Sequence, residues 1–353
     1  MYTNNGMNKG IMKLISTILL MMGLGICNAQ PSSIYTGSNN ELKLVENRTI
    51  ELAENLIPFG RAYAICSLPN SNNFVLITDQ PSSVIRYSSN GLQIQIIGKK
   101  GRGPFEYEQP VKLFCDEDAI YFRDGITSKY LSFDSNDNGL WEKTVFPLAP
   151  GKFIINDNSL VLTHFVPQLH KDYLKIFDID REEQIKSFGF TSNIDPLLGI
   201  YNDSGGLTKH FDRIYFARPS DTKLYYLQDE SVDSVEFTDH DFDVRKTNLT
   251  QNSDWNKVVD YISSNSRVAG LFPQNDYLIV QTEHGTVEVD RYSKLFVFNK
   301  DHALIDVITV PSESQSSYQE NYIKFSGNGN LYSYYEKRNQ KFITEWVIQP
   351  HEN

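Results

Sequence analysis

The 353 residues make about twice an ordinary domain, so the chain builds either two domains or one large repetitive fold. Hydrophobic residues at 40% and charged residues at 22% support a packed interior, which excludes wholesale disorder and a multi-span membrane protein. A formal charge of -11 argues against a surface that tracks nucleic-acid phosphates, which needs a basic excess.

Residues 1–29 carry the three zones of a secretory signal. Lys9 and Lys13 precede an apolar run from Leu14 to Ile26, and Cys27-Asn28-Ala29 follows. The run is too short to cross about 30 Å of hydrocarbon comfortably. Cleavage after Ala29 leaves residues 30–353 as a single domain, periplasmic or extracellular, with no membrane span and with its charge at -13 once the two lysines are lost. Leu24-Gly25-Ile26-Cys27 resembles a lipobox, with Ile26 where that pattern wants a small residue, so a lipid anchor through Cys27 is the alternative. Cys66 and Cys115 alone remain in the mature chain, too few for a disulfide framework. Two buried small side chains are the expectation and a single disulfide the alternative.

Past residue 60 one unit recurs six times. Its clearest strand reads Val84-Ile85-Arg86-Tyr87-Ser88, Tyr130-Leu131-Ser132-Phe133-Asp134, Leu174-Lys175-Ile176-Phe177-Asp178, Leu224-Tyr225-Tyr226-Leu227-Gln228 and Leu295-Phe296-Val297-Phe298-Asn299, with a looser copy at Phe342 to Trp346. Side chains two apart share a strand face, so the bulky residues form one packing face per copy. The preceding strands begin at Phe74, Ala119, Leu160, Arg213, Tyr277 and Leu331, spaced 45, 41, 53, 64 and 54 residues apart. That period predicts an all-β fold, a six-bladed β-propeller with four-stranded blades, strands A to D from the axis outward. The expected A strands start at Ala62, Val111, Phe153, Leu207, Val268 and Tyr322, and five D strands at Leu92, Leu140, Gln184, Ser231 and Leu304. The sixth copy runs out of chain, while Leu42 to Leu52 alternates without a partner; this amino-terminal strand is expected to close the last blade. A separate hairpin or a two-domain split is the alternative.

Between the first two blades lies Ile97-Gly98-Lys99-Lys100-Gly101-Arg102-Gly103-Pro104-Phe105-Glu106-Tyr107, followed by Pro110. It resembles the Gly-rich joint of NHL-like and TolB-like propellers, and more closely the secreted six-bladed propellers of Bacteroidota, with Phe105 where that pattern usually has a second Gly. The resemblance implies fold and export and transfers no catalytic residue. The three glycines are expected to supply positive φ at the crossing. A phosphate cradle needs a helix amino terminus and a Lys-Ser or Lys-Thr step, and the string has neither.

In this topology the D-to-A and B-to-C connections share one face. The joints Lys99 to Pro110, Thr191 to Gly206, Thr238 to Arg267 and Pro311 to Asn321 are long, which marks that face as the candidate site. Trp255, Val258, Val259 and Ile262 recur at helical spacing after Ser253 or Asp254, predicting a short capped amphipathic helix. By topology, the ligand-binding candidates are Arg102, Glu106, Tyr107, Asp124, His164, His170, Arg218, Asp221, His284 and Arg291. No HExxH, CxxC, GxSxG or Walker string occurs, so no catalytic residue is nominated, although the members of a triad meet in space rather than in sequence. Asp134, Asn136, Asn138 and Glu142 place oxygen donors as a calcium loop does, while an Asn-Gly hairpin turn explains the same string without metal. No cofactor is required, with calcium the one candidate. The expected function is an exported, non-enzymatic binding or scaffold propeller, a monomer engaging a protein, peptide or glycan through the D-to-A face. The alternative is a metal-dependent lactonase or lyase in the central channel.

Overall fold

The computed structural model describes residues 34–351 apart from 40, 69, 118, 146–149, 165–171, 203, 251–252, 287–288 and 312–330. Six four-stranded antiparallel sheets form the six blades of a β-propeller. Blade 1 comprises Ala62–Leu68, Asn73–Thr78, Ser83–Tyr87 and Gln93–Ile96; blade 2 comprises Pro110–Cys115, Ala119–Asp124, Lys129–Asp134 and Gly139–Thr144. Blades 3, 4 and 5 repeat the arrangement from Pro150, Gly206 and Arg267, each in simple A-B-C-D order.

Alternation explains both why these segments are strands and why they stack. One face of each sheet packs on the preceding blade and the other on the next, so the core is a ring of interblade layers. Val75, Ile77 and Val84 of blade 1 meet Ile120, Phe122 and Leu131 of blade 2. Ile50 and Ile343 of blade 6 meet Leu76 and Ile85 of blade 1, and Leu295 and Ile308 of blade 5 meet Leu44 and Trp346 of blade 6. The ring is therefore continuous.

Blade 6 is closed as the unpaired amino-terminal segment predicted. Leu42–Glu51 pairs antiparallel with Gln340–Pro350, from Leu42 opposite Pro350 to Glu51 opposite Phe342. A strand not foreseen, Ile34–Thr36, adds outside it, with Ile34 opposite Val45. The expected A strand from Tyr322 lies outside the described residues, so the four described strands run Leu331–Lys337, Gln340–Pro350, Leu42–Glu51, Ile34–Thr36 from inside outward. Buried Asp306 of blade 5 fastens this start by accepting the backbone N–H groups of Asn39 (2.9 Å), Glu41 (3.2 Å) and Leu42 (3.0 Å).

Cys66 and Cys115 form a disulfide between the A strands of blades 1 and 2, with Cα atoms 5.8 Å apart. The expectation of two free buried thiols is corrected here; the cysteines are 49 residues apart in sequence, but the ring brings their strands side by side. The joint between these blades also departs from expectation. Gly98 adopts φ 69° and Gly101 φ 154°, whereas Gly103 is not in the left-handed region and Phe105 is, at φ 56°. A phenylalanine thus holds a left-handed conformation in which glycine is the default residue. Its ring packs edge-on against Phe133, 6.0 Å between centroids, and tightly over Gly139, where a Cβ would come within 2.3 Å of Phe105 Cδ1.

Candidate ligand-binding face

Two joints rise above blades 4 and 5 as helices. The expected one, α2 (Trp255–Ser264), is capped by Asp254, whose carboxylate accepts the N–H groups of Asn256 and Lys257. The other, α1 (Asp195–Asn202), was not foreseen. Its start is a reciprocal capping box: Asp195 donates its N–H to Ser192 Oγ (3.2 Å), and Ser192 donates its N–H to Asp195 Oδ2 (2.8 Å). The Ser-x-x-Asp spacing with Pro196 behind it is the sequence signal that could have revealed it. Leu197 and Leu198 of α1 pack on Val258, Tyr261 and Ile262 of α2. Val258 and Ile262 therefore face inward as predicted. Trp255 and Val259 do not: they are 56% and 40% exposed on the outer side of α2.

Beneath α1, blade 4 holds a buried ionic cluster. Arg218 Nη2 lies 2.7 Å from Asp221 Oδ2, and its Nε lies 3.8 Å from Asp195 Oδ2. Ser220 donates its hydroxyl to Asp195 Oδ1 (2.5 Å), and Tyr225 donates to Asp221 Oδ2 (2.9 Å). Burial pushes the Asp221 carboxyl upward, against the opposing pull of Arg218. The Phe190 ring covers the guanidinium at 4.5 Å and is itself 61% exposed, so the outer surface of this cluster is aromatic.

Beneath α2, blade 5 holds a second cluster. Lys294 Nζ donates to Asp239 Oδ1 (2.8 Å) and Asp241 Oδ2 (2.6 Å), and Thr282 Oγ1 donates to Asp239 Oδ2 (3.0 Å). His284 Nε2 is 3.0 Å from Asp239 Oδ2, and its ring stacks on Tyr292. Burial works to raise the Asp239 carboxyl, but hydrogen bonds from His284 and Lys294 and their charges outweigh it and hold Asp239 well below the usual carboxylate range. Asp241 is likewise lowered, chiefly by its hydrogen bond from Lys294.

This cluster contains a Ser-His-Asp string in space, Ser266, His284 and Asp239. His284 Nδ1 lies 3.2 Å from both Ser266 Oγ and the Asp241 carbonyl. Ser266 is buried and its hydroxyl already donates to Asp241 O (3.1 Å).

The sequence candidates are therefore divided. Arg218, Asp221 and His284 anchor the elaborated face, although His284 lies within the strand Tyr277–Thr286 rather than in a loop, because the blade 5 hairpin is longer than expected. Arg102, Glu106, Tyr107 and Asp124 serve the first joint. Arg102 pairs with Glu108 (2.9 Å), and Glu106 accepts the N–H of Gly103 (2.7 Å). Tyr107 is buried with its hydroxyl accepting from Val84 N, and Asp124 accepts from the N–H groups of Gln109 and Thr127. His170 and the side chains of His164 and Arg291 lie outside the described residues.

The calcium candidates are engaged within the protein. Asp134 accepts the N–H groups of Asn136 and Asn138, each at 2.8 Å, and the Asn138 side chain, which is the hairpin-turn pattern. Glu142 pairs with Lys129 (2.7 Å) and accepts Phe105 N (2.6 Å), and Arg86 of blade 1 reaches the turn to pair with Asp137. Among the described residues no group of three or more His, Cys, Asp or Glu is arranged to hold a metal ion.

No family model matches the chain, and no curated protein does. Solved structures match in fold. A member of the DUF4221 family from Bacteroides vulgatus superposes with a TM-score of 0.66 at 12% identity, covering 88% of this chain and 99% of its own. A candidate exported protein from Bacteroides fragilis gives 0.64 at 13% identity, covering 90% and 97%. A catalytically inactive virginiamycin B lyase from Staphylococcus aureus, solved with quinupristin, gives 0.48 at 11% identity, covering 87% and 99%. At these identities the likeness to the two Bacteroides structures shows a shared propeller fold alone.

Proposed function

We propose that the protein is an exported, non-enzymatic binding propeller that engages its ligand through the D-to-A face over blades 4 and 5. One observation carries this reading: Phe190, Trp255 and Val259 present exposed apolar surface on joints that pack over the Arg218 and Asp239 clusters. Exposed aromatic anchors on a preorganised base are what a recognition surface needs, because little side-chain freedom is lost on binding. Export is supported by the signal-like residues 1–29 and by the Cys66–Cys115 disulfide, which suits an oxidising compartment.

The test is a screen of the mature chain, residues 30–353, against peptide and oligosaccharide panels. For any hit, Phe190→Ala and Trp255→Ala are expected to weaken binding at least tenfold while circular dichroism is unchanged. Hits indifferent to both substitutions would overturn the placement. A metal-dependent lactonase or lyase in the central channel is the competing activity. Stoichiometric metal that survives dialysis, together with turnover lost on chelation, would replace the binding reading.

A further inference from the structure

Among the described residues, the interface between blades 2 and 3 carries a charged side chain at a position that is apolar in blades 1, 2 and 5. On the third strand of each blade, the position two before the closing aromatic is a core position: Ile85 in blade 1, Leu131 in blade 2 and Phe296 in blade 5, all buried. Blade 3 places Lys175 there, 1% exposed, and no hydrogen-bond partner for its Nζ lies among the described residues. Lys175 stands opposite Leu162 and shares its face with Phe177, and both of these pack against Tyr130 of blade 2. From the facing sheet, the row Lys112, Arg123, Tyr130, Lys143 points the same way, since directly opposed residues share a face. Lys143 is paired with Glu182. Arg123, 8% exposed, forms no ion pair among the described residues; it reaches Ser128 Oγ at 3.4 Å and leaves Nε without a partner. The buried Tyr130 hydroxyl is engaged by Arg123, while the buried Ser132 hydroxyl, two residues along the same strand face, has no partner among the described residues.

Two buried cations and an unsatisfied hydroxyl in one interface are costly unless something accepts from them. The carboxylate whose charge Lys175 feels is Asp172, which accepts from Ser187 Oγ (2.7 Å). We propose that the interface between blades 2 and 3 is a site for a small oxyanion, held by Arg123 and Lys175 with the Ser132 hydroxyl. The chemistry is that of charge-assisted N–H and O–H donation to carboxylate, sulfate or phosphate oxygens. Without an anion, burial lowers the Lys175 ammonium from its ordinary value; a bound anion opposes that shift and favours the charged form. The site is separate from the face over blades 4 and 5 and stands or falls independently of it.

The experiment is calorimetric titration of the mature chain with inorganic phosphate, sulfate and malonate at constant ionic strength, alongside thermal melts against chloride. The expected result is saturable binding at one site per chain with a rise in Tm. Relative strength of the phosphate, sulfate and malonate arms assigns the class. Lys175→Leu restores the side-chain type of the other blades, so it is expected to fold and to melt higher in chloride, with anion affinity at least tenfold lower. Ser132→Ala, a milder change, is expected to weaken binding by a smaller factor, and Lys300→Met, on an exposed turn, is expected to leave it unchanged. Absence of saturable binding, or equal affinity in Lys175→Leu and the wild type, would overturn the site and assign the orphaned donors to internal water.

Discussion

Asp239 illustrates how single residues hold the elaborated face. It is buried, it accepts from Lys294, Thr282 and His284, and its carboxyl is depressed. A depressed carboxyl contributes stability that is complete above its unfolded value near pH 4 and is lost as pH falls through the folded value. Urea unfolding of the wild type is therefore expected to show stability falling below about pH 4. Asp239→Asn should start roughly 3–5 kcal/mol lower at pH 7, the scale of a broken buried pair, and fall less steeply in acid. Equal acid slopes would contradict this assignment. Such partners were not legible beforehand: Arg218 and Asp221 stood out in the sequence, but Asp239 and Lys294 are 55 residues apart and lacked any local signature.

At the scale of elements, α2 depends on its cap more than on composition. Asp254 satisfies two amide groups that the helix leaves open, so Asp254→Ala is expected to cost about 1 kcal/mol and to raise amide exchange in Trp255–Ser264 first. The periodicity of α2 was readable, yet only two of its four apolar positions face inward. Tyr261 replaces Trp255 and Val259 in the buried layer because α1 offers Leu197 and Leu198 on that side alone. The edges of the blades show the complementary device. Asn55 uses its side-chain amide to donate to Gln93 O (3.0 Å) and accept from Gln93 N (3.0 Å), imitating a further strand and blunting the exposed edge of blade 1.

For the whole molecule, stability is a matter of ring closure. Strand Leu42–Glu51 covers Gln340–Pro350, and Asp306 ties the approach to blade 5. A chain beginning at residue 53 exposes that edge and the Leu44, Trp346 and Ile308 layer, so it is expected to lose its cooperative melt and to aggregate, as calorimetry and light scattering would show. The disulfide contributes separately by constraining the unfolded chain, about 4 kcal/mol for a loop of this length in the entropic account. Reduction without truncation should lower the denaturation midpoint while leaving the circular dichroism spectrum intact. An unchanged midpoint would remove the bond from the list of stabilising features.

Blade number, strand rank and the closing role of the amino-terminal segment were determined by the sequence itself. Alternation with period two and a repeat of roughly fifty residues are properties of neighbouring positions, and a four-stranded unit with one strand missing must find it at the other chain end. What the tertiary structure alone decided is which side chains meet: Cys66 with Cys115, Arg86 with Asp137, Asp306 with the backbone of Leu42. Those meetings depend on how adjacent blades stack and on where joints fold back, over separations as long as 264 residues. Local pattern carries no information at that range: Glu142 meets the backbone N–H of Phe105, 37 residues away, only once the joint folds back.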